Sequence, residues 1–456
     1  MSARATVVIV NYNGAHLLPA CLQALDRQHE DAPPFDTIVV DNASADGSRE
    51  LLARDFPWVR VIASPGNRGF AGGNNLALRE ITTPVAVLLN NDAAPDPGWL
   101  ATLLAALDAP DAHNVAIVTG KILFMPKFAR VQLRTPGFRP GPQDTRDLGV
   151  RIYQVNADGS DVTDKVLWEQ VAYGPEGTGA GRFRWTRPSG EFLLPVPRES
   201  CDGGRLIQPV KLTITAAAET AKQLSLTVGD RTMELAVEPE VTSLDVELVP
   251  GLPVSDVINN AGSIVLQDGS GADRGFQEVD RGQYDDPADV FAACGNGMAM
   301  RTSVGRELGW FDDKFFMYYE DTDLCWRWRS RGWDIRYVPS ATLRHIHAAS
   351  SKEWSPRWIF HVERNRLLML TKNASRGLAG RAVAGYTRGV GASLLRCLTS
   401  ALRQRRRPAL REQAVRIGVL RSFVTLAPRV LWERRALRRK ATVSAAELQS
   451  WLVTRR

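Results

Sequence analysis

The sequence predicts an α/β protein: a doubly wound, mostly parallel sheet, interrupted by a β-sandwich-like insertion and followed by a basic helical tail. Three observations carry this. Up to about residue 126, short β-branched runs alternate with helical periodicity, as expected of strands joined by crossover helices. From about 127 to 256 that period disappears and alternating runs such as Leu224-Ser-Leu-Thr-Val replace it. From Ala374 onward, 19 Lys and Arg stand against three acidic residues.

Composition narrows the class. A chain of 456 residues, 44% hydrophobic and 23% charged, has room for two or three ordinary domains. Its five cysteines are scattered without a CxxC pair. That excludes a disulfide framework and a cysteine zinc cluster and suits a reducing compartment. The N-terminus runs directly into a strand, and no apolar run approaches the ~18 residues of a membrane span. The net charge of +7 belongs to the tail, because the remainder is acidic overall. Such a tail suits an anionic surface.

The elements follow in order. Thr6 to Val10 reads as a buried strand, broken by Asn11-Tyr12-Asn13-Gly14, with a helix over His16 to Asp26. Asp36 to Val40 is a second strand, ending at Asp41-Asn42, with polar caps opening another helix. Val59 to Ala63 is a third, followed by Asn67-Arg-Gly-Phe-Ala-Gly-Gly-Asn-Asn; Val85 to Leu89 is a fourth, ending at Asn90-Asn91-Asp92. All four polar clusters fall at the carboxyl ends of strands, where open α/β sheets bind ligands. Asp41 is placed to accept hydrogen bonds from a base or ribose. Gly69, Gly72 and Gly73 let backbone approach an anion at a helix start. Asp92 is a lone carboxylate suited to a hard cation bridging two phosphates.

The insertion, 127–256, holds short strands separated by turns such as Gly229-Asp230. Its aromatics Trp168, Tyr173, Phe183, Trp185 and Phe192 suit either a core or a sugar platform. After it, Cys294-Gly-Asn-Gly-Met leads to an apolar strand. Phe315 to Arg327 then places Glu320, Asp321 and Asp323 within four residues. Carboxylates this close need a helix N-terminus, a cation or a chemical task. Thr322 is expected to cap a helix starting at about Asp323, which leaves Asp323 in the first turn and Asp321 just before it. His345 and His347 share one side of a strand. His361 to Met369 reads as a helix that offers His361, Glu363, Arg364 and Asn365 to a diphosphate or acceptor.

Five segments together resemble the motif series of the family 2 glycosyltransferases, nearest the rhamnosyltransferase-like bacterial branch. They are Val7-Val-Ile-Val-Asn-Tyr-Asn-Gly, Val39-Val-Asp-Asn-Ala-Ser, the Asn67 to Asn75 run, Leu88-Leu-Asn-Asn-Asp and Tyr319-Glu-Asp-Thr-Asp-Leu-Cys-Trp-Arg. The resemblance covers about 1–125 and 257–372. It implies a GT-A fold, a nucleoside-diphosphate sugar donor, Mg²⁺ or Mn²⁺, and inversion at the anomeric carbon. On that basis 1–126 is the nucleotide-sugar-binding half, 257–373 the acceptor and catalytic half, and 374–456 the tail. The implied donor-binding set is Asn11, Asn13, Asp41, Asn67, Gly69, Asn74 and Asn91. Asp92 would hold the metal with His345, or His347 in its place. Asp321 would be the general base, with Glu320 orienting the acceptor or tuning Asp321. Asn90 and Asn91 stand where many relatives carry Asp.

The tail reads as two basic amphipathic helices, with apolar residues at 382, 386, 390, 394, 398 and 402 and again at Ile417, Leu420, Val424 and Leu431. They suit an anionic membrane surface or packing on the catalytic domain. Nucleic acid is not expected, because base-stacking aromatics are not interleaved with the charges. The expectation is therefore an inverting transferase moving a sugar, rhamnose from dTDP-rhamnose first, to a polyprenyl-linked glycan in cell-envelope polysaccharide synthesis. It would lie in the cytoplasm, peripheral on the inner face of the bacterial plasma membrane. The alternatives are a UDP-sugar donor carrying galactofuranose, galactose or N-acetylglucosamine, and a non-catalytic glycan-binding scaffold.

Overall fold

A computed structural model describes residues 2–168, 171–346, 355–403 and 411–454. His347, the Ser350-Ser351 and Trp354 loop, and the Gln404 to Pro408 run lie outside the described residues. The chain divides into two units: Met1–Leu123, Ile258–Phe276 and Gly282–Arg456 form the first, and Phe124–Val257 with Gln277–Arg281 the second.

The first unit is built on a ten-stranded sheet. Strands β1 (Ala5–Asn11), β2 (Phe35–Asp41), β3 (Arg60–Ala63) and β4 (Val85–Leu88) lie parallel in the order β3-β2-β1-β4. This is the doubly wound half. After the short β5 (Ala93–Pro95) and β6 (Val115–Phe124), the strand Met298–Arg301 runs antiparallel between β4 and β6, and Asp334–His345 lies beyond β6. The parallel sheet is thus continued by antiparallel strands from the second half of the chain.

Both faces of β1, β2 and β4 are covered, which is why these strands read as continuous apolar, β-branched-rich runs, whereas β3 at the edge is largely exposed. Successive side chains point to opposite faces. Val7, Ile9 and Val39 pack with helices α1 (Leu18–Asp26) and α4 (Trp99–Asp108) through Leu22, Leu25, Trp99 and Leu103. After α2 (Ser48–Asp55), α3 (Gly69–Leu78) covers the other face, where Val8, Val40 and Leu88 meet Ala71 and Ala77. A Cβ on Gly73 would sit 2.8 Å from a Val10 methyl, so glycine sets how closely α3 approaches β1.

The second unit is a sandwich of two five-stranded sheets. Its core holds Val131, Ile152, Leu212, Leu224 and a stacked Trp168–Phe192 pair. The cavity between the sheets is only about 10 Å³, too small for an ordered water. Tyr173 lies under the guanidinium groups of Arg146 and Arg187, 5.2 and 4.6 Å from its ring centre. All five aromatics considered for a sugar platform thus have protein partners in ring contacts with one another or with arginine, Trp185 meeting Phe183 and Arg151.

Helices α5 (Thr302–Leu308), α6 (Glu320–Arg329), α7 (Pro356–Asn373), α8 (Arg376–Arg403), α9 (Arg411–Lys440) and α10 (Ala445–Ser450) complete the first unit. On α9, Val419, Phe423 and Val430 are buried in the same core as Leu367 and Leu370 of α7, and Arg434 donates to the Thr371 carbonyl at 2.7 Å. The tail helices therefore pack on the rest of the first unit along one face. Another face leaves Leu395, Leu398, Leu402, Val424 and Trp432 exposed. Among the described residues no helix is long and apolar enough to cross a membrane.

Candidate active site

The strand mouths are braced by amides. Asn11, fully buried at the end of β1, donates to Ser48 Oγ at 2.9 Å and Ser44 Oγ at 3.2 Å and accepts from Asn91 Nδ2 at 2.7 Å. Its amide protons are committed to protein partners, so Asn11 ties the β1, β2 and β4 mouths together rather than offering donors to a nucleoside. Asn13 has a positive φ of 52° and accepts from the Ala45 N–H at 2.8 Å. Asn42 links the next mouth, donating to Asn67 Oδ1 at 3.2 Å and to the Gly69 carbonyl at 3.0 Å, while Asn67 also accepts from the Gly69 N–H. Asn74 turns back onto the Phe70 carbonyl at 2.9 Å.

Asp41 differs from these. It is 1% exposed, and among the described residues its Oδ1 has no hydrogen-bond partner and the one cation near Oδ2 is the exposed Arg49, at 3.6 Å. A buried carboxylate oxygen left open at a strand mouth is a free acceptor for ligand hydroxyl or amide groups.

Gly69 is required by sterics. Its φ is +68°, and a Cβ there would lie 2.3 Å from the Phe316 carbonyl oxygen. The Ala71 N–H donates to that same oxygen at 3.1 Å. The donor-side loop is thereby locked to the loop that precedes the carboxylates. Asn75, which the motif series did not single out, adds to this lock by donating to the Phe311 carbonyl and accepting from its N–H, at 2.8 and 3.1 Å.

Asp92 and His345 are brought together by pairing of β5 with the last strand, which sets His345 opposite Ala93. His345 Nε2 lies 3.2 Å from Asp92 Oδ1, yet that oxygen accepts no hydrogen bond. On its other side His345 Nδ1 is 3.2 Å from Asn259 Oδ1. An amide oxygen only accepts, so Nδ1 donates to it, and Nε2 is the ring nitrogen turned towards the carboxylate. An imidazole nitrogen and a carboxylate oxygen at this separation fit a divalent cation, with Asn259 as the outer partner that orients the imidazole. Among the described residues no group of three His, Cys, Asp or Glu could hold a metal. The remaining ligands would come from a diphosphate and water, as Mg²⁺ and Mn²⁺ commonly arrange.

The carboxylate cluster departs from expectation in one respect. Helix α6 starts at Glu320, with Tyr319 at the N-cap in a left-handed conformation and no side-chain cap. Thr322 is thus inside the helix, and Glu320, Asp321 and Asp323 all occupy its first turn, where the helix dipole favours negative charge. Asp323 is fully buried and saturated: Arg327 and Lys372 approach at 2.9 Å and Asn373 at 2.7 Å. It is structural, as its helix position suggested. Asp321 is part-buried and accepts from the Gly295 N–H at 3.0 Å and the Thr322 N–H at 2.6 Å. Burial pushes its carboxyl above the ordinary carboxylate range, and those N–H groups pull it part of the way back. Burial and then the Asp321 charge push Glu320 well above the ordinary range, and among the described residues Glu320 Oε2 has no hydrogen-bond partner.

The backbone before these carboxylates is strained. Phe316, Tyr318 and Tyr319 all have positive φ, near 65–70°, without a glycine among them. Asn365 on α7 holds them: its Nδ2 reaches the carbonyls of Phe315, Met317 and Tyr318, each at 2.8 Å. Arg364 donates to the carbonyls of Lys314 and Phe315. Both were expected at a diphosphate or acceptor, and both instead grip the active-site backbone. Strain maintained by buried polar residues is a recurring mark of functional loops.

Two family profiles match this chain: Glycosyl transferase family 2 over residues 6–157 and Glycosyltransferase like family 2 over residues 272–360. The chain belongs to the family 2 glycosyltransferases. The two matches fall on the two halves that build this site. Among curated relatives, this family 2 chain is 25% identical over 123 residues to "Glycosyltransferase AglE" of Haloferax volcanii, covering 26% of the chain and 39% of the relative. It is 42% identical over 57 residues to an N-acetylglucosaminyl-diphospho-decaprenol L-rhamnosyltransferase of Mycobacterium tuberculosis, covering 12% and 19%. It is 30% identical over 91 residues to a teichoic acid poly(glycerol phosphate) polymerase of Staphylococcus epidermidis, covering 19% and 12%. The matches thus span well under half of these relatives. Among solved structures, a mannosyltransferase from Pyrobaculum calidifontis in complex with GDP-Man and Mn²⁺ aligns with a TM-score of 0.40 at 13% identity, covering 93% of this chain and 88% of that one.

Proposed function

We propose that the protein is an inverting glycosyltransferase that moves a sugar from a nucleoside-diphosphate donor to a hydroxyl of a glycan acceptor. The observation that carries this reading is the separation of two carboxylates into two environments. Asp92 lies 3.2 Å from His345 Nε2 as a carboxylate–imidazole pair, whereas Asp321 is held by backbone N–H groups at a helix start.

The donor would enter over the mouths of β1 to β4. Asp41, with its open oxygen, receives hydroxyl or amide groups of the nucleoside. Asn13, Asn67, Gly69, Asn74 and Asn91 shape that wall, and Asn11 braces it. Asp92 and His345 would hold Mg²⁺ or Mn²⁺, which supplies charge neutralisation for the departing diphosphate. Asp321 takes the proton from the acceptor hydroxyl as its oxygen forms the new bond to the anomeric carbon and the bond to the diphosphate breaks. Attack from the side opposite the leaving group inverts that carbon. A raised carboxyl is a stronger base than an ordinary one, which favours this transfer. Glu320, its carboxyl held well above the ordinary range by burial and by Asp321, orients the acceptor through the oxygen that has no partner among the described residues.

The donor assignment favours dTDP-rhamnose, supported by the stretch shared with the mycobacterial rhamnosyltransferase, and the acceptor assignment favours a polyprenyl-linked glycan of the cell envelope. Exposed Leu395, Leu398, Leu402 and Trp432, interspersed with arginines, support docking on an anionic membrane surface. A thermal-shift screen of nucleotide sugars with Mn²⁺ tests the donor class, since only a bound ligand raises Tm. The reading is abandoned if no nucleotide sugar raises Tm or is turned over with either metal.

A further inference from the structure

We propose that a cavity beside Tyr319, enclosed by α7, α8, α9 and the hairpin Ser263–Val265/Gly271–Asp273, binds the diphosphate of a lipid-linked acceptor. The inference rests on the glycosyltransferase reading and adds to it the place where the acceptor's anionic group sits.

The cavity holds about 510 Å³, within the range of small-molecule sites. It is connected to the carboxylate cluster through Tyr319. The Gly271 N–H of the hairpin donates to the Tyr319 hydroxyl at 3.0 Å, and Arg366, Glu363 and Asp268, which line the cavity, all act on that phenol. On α7, Glu363 and Arg366 face the cavity, while Arg364 and Asn365 between them grip the strained backbone just before Glu320. One helix thus joins the cavity wall to the catalytic loop.

The lining calls for an anion. Arg366, Arg381 and Arg416 contribute three guanidinium groups. Arg366 donates through Nη2 to the Asp268 carbonyl at 2.7 Å, and its charge meets Glu363 only at 4.0 Å. Asp268 Oδ1 accepts from the Ser270 N–H. Arg381 and Arg416 have no carboxylate partner among the described residues. Two donors in this wall, Arg366 Nε and Tyr386 Oη, are shielded from solvent and have no hydrogen-bond partner. Buried donors rarely remain unmatched, and phosphate oxygens satisfy guanidinium and phenol donors together.

The floor indicates what carries the phosphate. Leu378, Ala382 and Val390 present buried apolar surface along α8. Gly385 and Gly389, one turn apart, leave open space beside it, with nothing within 4 Å of a Cβ at either. An apolar floor next to three arginines matches a prenyl diphosphate better than a free one.

The test uses the full chain, with farnesyl diphosphate and inorganic pyrophosphate as probes, titrated by calorimetry. Farnesyl diphosphate should bind, at least tenfold more tightly than pyrophosphate. The double variant Arg381→Ala/Arg416→Ala, both at exposed positions, should lose tenfold or more in affinity while keeping the Mn²⁺-dependent donor shift in Tm. Equal affinity for the two probes, or for wild type and variant, overturns the proposal. If the double variant also loses the donor shift, Tyr386→Phe takes its place: a three- to tenfold loss is expected, and unchanged binding overturns the proposal. A wild type that binds farnesyl diphosphate but shows no donor shift and no turnover would instead sink the glycosyltransferase reading.

Discussion

Gly295 donates its backbone N–H to Asp321 Oδ2 at 3.0 Å, and the next residue, Asn296, accepts from the Asn90 N–H at 3.1 Å. Two adjacent residues thus link the proposed base to the strand mouth that carries Asp92. A Cβ on Gly295 would lie 2.9 Å from the Phe70 ring, so the segment must shift to accommodate it. We expect Gly295→Ala to lower kcat about tenfold through misplacement of Asp321, with the donor-induced rise in Tm retained. A loss of donor binding equal to the loss of kcat would show that the segment serves the donor instead.

Asp321→Asn keeps the size and removes the base. Turnover should fall by ~10²–10⁴-fold, while donor and metal binding, read by calorimetry, stay within about twofold. Unchanged kcat would remove Asp321 from the chemistry.

Asp92→Ala should abolish the Mn²⁺-dependent part of donor binding. His345→Ala should weaken it, because one of the two protein ligands and its Asn259 orienting contact are lost together. A nucleotide titration with and without Mn²⁺ checks both. The same metal dependence in wild type and Asp92→Ala would place the ion elsewhere.

Glu320 sets a pH dependence of stability. Its folded carboxyl is raised far above the ordinary 4.5 by burial and by Asp321, with a further push from Asp323. The native state therefore holds a proton that the unfolded chain releases. Its stability contribution is present in full below about pH 4.5 and is lost as pH rises towards the folded pKa. Glu320→Gln mimics the protonated form, so its Tm should exceed that of wild type at pH 8 and approach it at pH 4. A constant difference at both pH values would count against a buried neutral Glu320.

Asn365→Ala should destabilise the fold by about 2–4 kcal/mol, since up to three buried carbonyls lose their donor at once. Urea unfolding measures this, and a change below about 0.5 kcal/mol would mean that the 315–319 backbone keeps its shape unaided.

The mouths of β1, β2 and β4 were legible in the sequence because a buried parallel strand shows as a β-branched run and its end shows as a break into polar residues; β3 is largely exposed, and only the polar break after it marked its end. The start of α6 was not. Thr322 has the chemistry of a cap, but the helix begins at Glu320 after left-handed Tyr318 and Tyr319, a conformation that tyrosine does not advertise. Nor was the bracing role of Asn11 legible, since its hydrogen-bond partners Ser48 and Asn91 come together only in the fold. Asn365 is similar, holding carbonyls nearly fifty residues away. In the tail, periodicity located the helices, but which face Phe423 and Val430 would bury depended on α7 as a partner.

The ion pairs around Lys314 have a consequence for the order in which the protein matures. Lys314 sits 2.7 Å from Asp312 and 2.8 Å from Glu433, and Lys372 joins Asp312 to Asp323 at 2.7 and 2.9 Å. During synthesis, Glu433 emerges more than a hundred residues after the loop it helps to fix. A chain halted before α9 would have its sheet and its proposed metal ligands but lack the clamp on Lys314 and the cover over Leu367 and Leu370. Catalytic competence should therefore appear late in translation, and the tail cannot be trimmed away without loosening Tyr319, Glu320 and Asp321.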